Sequence, residues 1–121
     1  MRDVTTASGT CRHGVLRWPA EDAETGRALA IYGEWREAEL AFLLARLPAG
    51  GRVVDVGAGI GAFALAFARA GRLDAIETDP ALRALLVDNL AANGIAAGDS
   101  GVAVHAAVAP DVLARADLVR I

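Results

Sequence analysis

The chain has no lysine at all: its twelve basic residues are all arginine, against fifteen Asp and Glu. A net charge of −3 leaves no basic excess, and at this level no nucleic-acid partner is expected. The absence of lysine beside abundant Ala and Gly reads as coding composition rather than as a physical demand for guanidinium groups. Cysteine is nearly absent too. Cys11 stands alone, so no internal disulfide can form, and a reducing, cytoplasmic compartment is expected. The start Met1-Arg2-Asp3-Val4-Thr5-Thr6 lacks the apolar core of a signal peptide. No apolar run reaches the roughly 18 residues that span a bilayer, so no membrane partner is expected either. What remains is 121 residues, 55% apolar: one domain with a modest core.

The first ten residues are small and polar without a period, and residues 1–12 are expected to be a flexible N-terminus. Residues 13–121 then read as a single α/β unit. A short apolar segment, Gly14 to Trp18, ends at Pro19, and Arg27 to Tyr32 suggests a turn of helix. Glu34 to Leu47 carries Leu40, Leu43, Leu44 and Leu47 at helical spacing, with Glu34 and Glu37 in the first turn, and stops before Pro48. Arg52 to Val56 is a valine-rich run bounded by glycines, which suits a strand buried on both faces. Helix is expected from Gly61 to about Ala70 with Gly71 supplying the cap, and strand from Arg72 to Glu77, weakened by Asp74. Asp79 caps a helix that begins at Pro80, turns Leu82, Leu85, Leu86 and Leu90 inward, and ends at Asn93-Gly94. After a loop over 95–101, Val102 to Val108 is a third strand, Pro110 to Arg115 a short helix, and Asp117 to Ile121 a fourth strand. This alternation implies parallel βαβ units.

The chemistry lies between the first of these strands and its helix. Val53-Val54-Asp55-Val56-Gly57-Ala58-Gly59-Ile60-Gly61 runs from strand into a glycine loop, and Glu77 follows twenty positions after Gly57. Such a loop lets backbone approach a nucleotide-type cofactor, since side chains at Gly57 or Gly59 would collide with it. Dinucleotide sites favour G-x-G-x-x-G, whereas these glycines fall at 57, 59 and 61 with Asp55 just ahead. A carboxylate there would repel a pyrophosphate but suits the ammonium of a methionine moiety. The pattern therefore favours S-adenosylmethionine over a nicotinamide dinucleotide, with Glu77 placed to accept from both ribose hydroxyls. Trp35 and Phe63 read as core. His105, inside an apolar strand pattern, reads as structural rather than as a base, and Cys11 with His13 makes only a weak metal signal.

With those residues in hand, the chain resembles the FkbM-type family of S-adenosylmethionine-dependent methyltransferases. Tyr32-Gly33-Glu34-Trp35 followed by Glu39 is similar to that family's Y-G-E-W…E segment, and Val54 to Phe63 to its V-D-V-G-A-N-I-G-A-F loop. Glu77-Thr78-Asp79-Pro80 is similar to its E-P-D-P, and Asp117 to Ile121 to its D-L-L-K-I strand. The sequence departs at Gly59, where Asn is usual, at Thr78, where Pro is usual, and at Ala64, where a hydroxyl residue is common. The resemblance implies a Rossmann-like class I methyltransferase fold with parallel strands ordered 3-2-1-4 and a short N-terminal extension. It implies Glu34 near the methionine end, Asp55 with Gly57, Ala58 and Gly59 at the amino acid, Glu77 on the ribose, and Thr78, His105 and Ala106 bordering the adenine. It also implies a small-molecule or sugar hydroxyl as acceptor.

The family strand continues into D-V-E-G and three further strands, so the sequence reads as a fold truncated after its fourth parallel strand, with catalytic competence in doubt. An apolar, unpaired edge over Asp117 to Ile121 invites pairing with another chain, and a homodimer through it is an expectation of that reading. The alternative is a non-catalytic cofactor-binding or dimerisation module.

Overall fold

The computed structural model describes residues 5–98 and 101–121. Its first two strands, β1 (Thr6–Cys11) and β2 (Gly14–Pro19), form an antiparallel hairpin that pairs Thr6 with Pro19 and Cys11 with Gly14. Thr6–Cys11, within the segment expected to be loose, is thus strand, and residues 1–4 of that segment lie outside the described residues. The strand's residues do not alternate visibly in the sequence because they are small, and what orders them is Trp18: its ring lies against Gly9 and Gly26, and it is buried with Leu16.

Two helices follow, α1 (Thr25–Tyr32) and α2 (Glu37–Leu44). The second is shorter than its leucine spacing suggests. Arg36 takes a left-handed φ of 48° immediately before it, so Glu34 lies outside the helix and Glu37 is its first residue. The hairpin turn grips this segment. Arg12 pairs with Glu34 at 3.2 Å, and His13 Nε2 lies 2.9 Å from both Glu37 oxygens.

The remaining elements are β3 (Arg52–Val56), α3 (Ala64–Ala70), β4 (Arg72–Ile76), α4 (Pro80–Ala92), β5 (Val102–His105), α5 (Pro110–Ala114) and β6 (Leu118–Arg120). The four strands β5-β4-β3-β6 lie in that order, all parallel, which is the expected 3-2-1-4 arrangement. Asp79 caps α4 as expected, accepting from Ala81 N at 2.9 Å with Pro80 behind it. Gly71 caps α3 as expected, its N donating to Phe67 O at 3.0 Å; its φ of −172° is extended, and glycine is needed because a Cβ would collide with the Gly51 carbonyl oxygen.

The two sheet faces are covered unequally. Val53, Leu73 and Ala75 face a continuous core with Leu16, Leu40, Phe63, Phe67, Leu86 and Leu90. On the opposite face Val54 and Ile76 meet Val112 of α5 in a small cluster, and Val119 is 40% exposed. Among the described residues, no helix is long and apolar enough to cross a membrane.

Candidate cofactor site

The loop after β3 is fixed by main-chain bonds and by one carboxylate. Gly57 and Ala58 both donate to the Ile76 carbonyl, at 2.9 and 3.0 Å, which holds the start of the loop against the end of β4. Gly57 and Gly59 have φ of 78° and 59°, and a Cβ at either would meet no protein atom within 4 Å. Within the protein, then, backbone conformation asks for glycine here, and the space above is open to a ligand. The φ of Gly59 lies in the left-handed well that Asn also tolerates. Gly61 shares the positive φ, at 95°, and a Cβ there would in addition press on Leu86 Cδ1 at 2.9 Å.

Glu77 ends β4 and is 7% exposed. Its Oε1 accepts from Gly59 N at 2.8 Å and its Oε2 from Asp79 N at 2.9 Å. Loop and acid, eighteen residues apart in sequence, are thereby joined directly. Thr78 and Ala106 are exposed beside this strand end, and Glu77 N donates to the His105 carbonyl at 3.0 Å, which brings β5 to the same edge. The His105 ring points elsewhere, 2.9 Å from Asp74 Oδ1, and Arg52 holds the other Asp74 oxygen at 3.0 Å. Burial pushes the Asp74 carboxyl up, but the hydrogen bonds from His105 and Arg52 outweigh it and hold the group below the usual carboxylate range.

Asp55 was expected beside the ligand's amino group; it is fully buried beneath the loop instead. The parallel register sets Asp55 opposite Arg120, whose Nη1 donates to Asp55 Oδ1 at 2.9 Å. The guanidinium lies over Phe63 at 4.4 Å and Trp35 at 5.8 Å from the ring centroids. Burial raises the Asp55 carboxyl above its ordinary value, against the pull of Arg120. Arg120 thus lines the candidate cavity, which sequence reasoning missed and only the register of β6 on β3 could reveal. Glu34, half-buried and paired with Arg12, is not among the residues lining the cavity at the loop. That cavity, about 130 Å³, is bounded by Gly57 to Ile60, Trp35, Phe63, Asp22 and Arg120. Among the described residues, no group of three His, Cys, Asp or Glu side chains converges as a metal site would.

No protein-family model matches the chain, and no curated protein matches it. Solved structures do. The chain is similar to aTrm5 in complex with tRNALeu, at 20% identity and TM-score 0.63, over 88% of this chain and 29% of that one. It is similar to Trm5 of Methanocaldococcus jannaschii in complex with adenosine, at 22% identity and TM-score 0.63, over 92% and 31%. It is also similar to an S-adenosylmethionine-dependent O-methyltransferase of Thermotoga maritima, at 25% identity and TM-score 0.51, over 61% and 29%. The fold is therefore Rossmann-like, of the methyltransferase type. The chain spans about a third of the length of these proteins. One expectation falls: a chain of this same fold is solved with tRNALeu bound, so a charge balance without basic excess does not exclude nucleic acid as a partner.

Proposed function

We propose that this chain is the S-adenosylmethionine-binding unit of a methyltransferase. The observation that carries the reading is the Glu77–Gly59 bond, which sets an acid at the carboxyl end of β4 directly against a glycine loop with open space above it. Glu77 would receive the two ribose hydroxyls, Gly57, Ala58 and Gly59 would present backbone to the ligand, and Thr78, His105 and Ala106 would border the adenine. When bound, the cofactor supplies an activated sulfonium methyl. This chain's residues bind and orient it, and catalysis by such a unit is largely the alignment of donor with acceptor. None of its described side chains is assigned as a base: His105 is committed to Asp74, and Asp55 to Arg120.

Calorimetric titration with S-adenosylhomocysteine tests this reading. At about 100 times the dissociation constant, the ligand should add roughly 2.7 kcal/mol of stability, and Glu77→Ala should abolish the heat. A folded wild-type chain that shows neither heat nor thermal shift would overturn it. The finer reading, methylation of a hydroxyl on a small molecule or sugar, is supported by the FkbM resemblance alone. Transfer of a labelled methyl group into transfer RNA, with none into small hydroxyl acceptors, would sink it.

A further inference from the structure

The cavity at the glycine loop is small, about 130 Å³, and has an unusual charge pattern. That space suits an amino-acid head group, while the ribose and base would lie outside it, along Glu77 and Thr78. One carboxylate, Asp22, and one guanidinium, Arg120, line its wall. Asp22 Oδ1 accepts from Glu24 N at 3.0 Å, which fixes that carboxylate at the approach to α1.

Arg120 is under-employed. Of its five N–H donors it gives one bond, from Nη1 to Asp55, and among the described residues its Nε is buried without an acceptor. Asp55 Oδ2 is likewise buried without a donor. Nε has no accessible surface, so the donors that a ligand in the cavity can reach are the remaining Nη N–H groups, and the guanidinium gains from a further acceptor there. Stacking on Phe63 and Trp35 holds the guanidinium plane in place while leaving its edge to bond. A phosphate would gain Arg120 but meet the Asp22 carboxylate. A group carrying one charge of each sign meets a partner for both.

We infer that Arg120 and Asp22 form a zwitterion subsite, in which Arg120 takes the α-carboxylate and Asp22 the α-ammonium of the ligand's amino-acid end. This rests on the proposed cofactor reading and deepens it. It moves ammonium recognition from Asp55, which becomes the residue that positions Arg120, to Asp22 on the cavity wall.

The test compares three ligands by calorimetry on the wild-type chain. S-adenosylhomocysteine carries both charges, S-adenosyl-3-thiopropylamine lacks the carboxylate, and 5′-methylthioadenosine lacks the whole head group. The expected order of affinity is that order, each step about tenfold or more. Asp22→Asn keeps the acceptor for Glu24 N and removes the charge. It should weaken S-adenosylhomocysteine and the amine about tenfold and leave 5′-methylthioadenosine unmoved. Arg120→Met, made together with Asp55→Asn so that no lone charge is buried, should bind S-adenosylhomocysteine no better than the amine. Equal wild-type affinity for all three ligands overturns the subsite and leaves the cofactor reading intact. Failure of all three to bind overturns both.

Discussion

Asp55 and Asp74 lie on adjacent strands and are both buried, yet they face opposite sides of the sheet and titrate in opposite directions. Asp74 is held below its ordinary value of 3.8, so its contribution to stability is present above that pH and is lost as pH falls through the lower folded value. Asp55 is raised above 3.8, so its contribution is present below that pH and is lost as pH rises through the higher folded value. Urea denaturation between about pH 3 and pH 7 should therefore separate two variants. Asp74→Asn should remove part of the acid loss and cost about 1–3 kcal/mol at neutral pH, because Arg52 and His105 lose a charged acceptor. Asp55→Asn should flatten the decline of stability on the alkaline side of pH 3.8. Either profile matching wild type would refute the assigned direction.

The elements around the site are joined by one helix side chain that no local pattern marks. Asn89, on α4 and 3% exposed, accepts from Arg17 N at 2.9 Å and donates to Arg17 O at 2.9 Å and Ile60 O at 2.8 Å. Hairpin, helix and glycine loop thus meet on a single amide. Asn89→Ala strands three backbone groups and should cost about 2–4 kcal/mol in denaturant midpoint experiments, well beyond an ordinary surface change. The same variant should weaken S-adenosylhomocysteine binding, since Ile60 belongs to the loop; full retention of affinity would mean the loop holds its shape without this tether. At Gly71, any side chain must displace the Gly51 backbone, so Gly71→Ala should cost about 1–3 kcal/mol or more. Gly71 is the helix cap that the sequence suggests, and only the approach of two chain segments shows the second, steric constraint on it.

Across the whole molecule, protection should be highest in β3 and β4, each flanked by strands on both sides, and lower in the edge strands β5 and β6. Hydrogen exchange read by mass spectrometry should show the amides of β6 exchanging well before those of β3. One sheet face carries a continuous core and the other only the small cluster around Val112, with Val119 and Ile121 exposed at 40% and 93%. Exchange of β6 as slow as that of β3 would show that this edge is protected by something beyond these contacts.

By itself the sequence determined the four parallel strands, the capped start of α4, and a glycine loop followed by Glu77 at the end of the next strand. Each of these follows from local periodicity, glycine conformation or the short reach of a βαβ unit, whereas the strand order was implied by the family resemblance. It could not decide how Asp55 is used, because its partner Arg120 arrives sixty-five residues later through the register of a parallel strand. Nor could it place Asp22 on the cavity wall or order Thr6–Cys11. Those depend on which surfaces the hairpin and α1 bury, and burial belongs to the assembled fold.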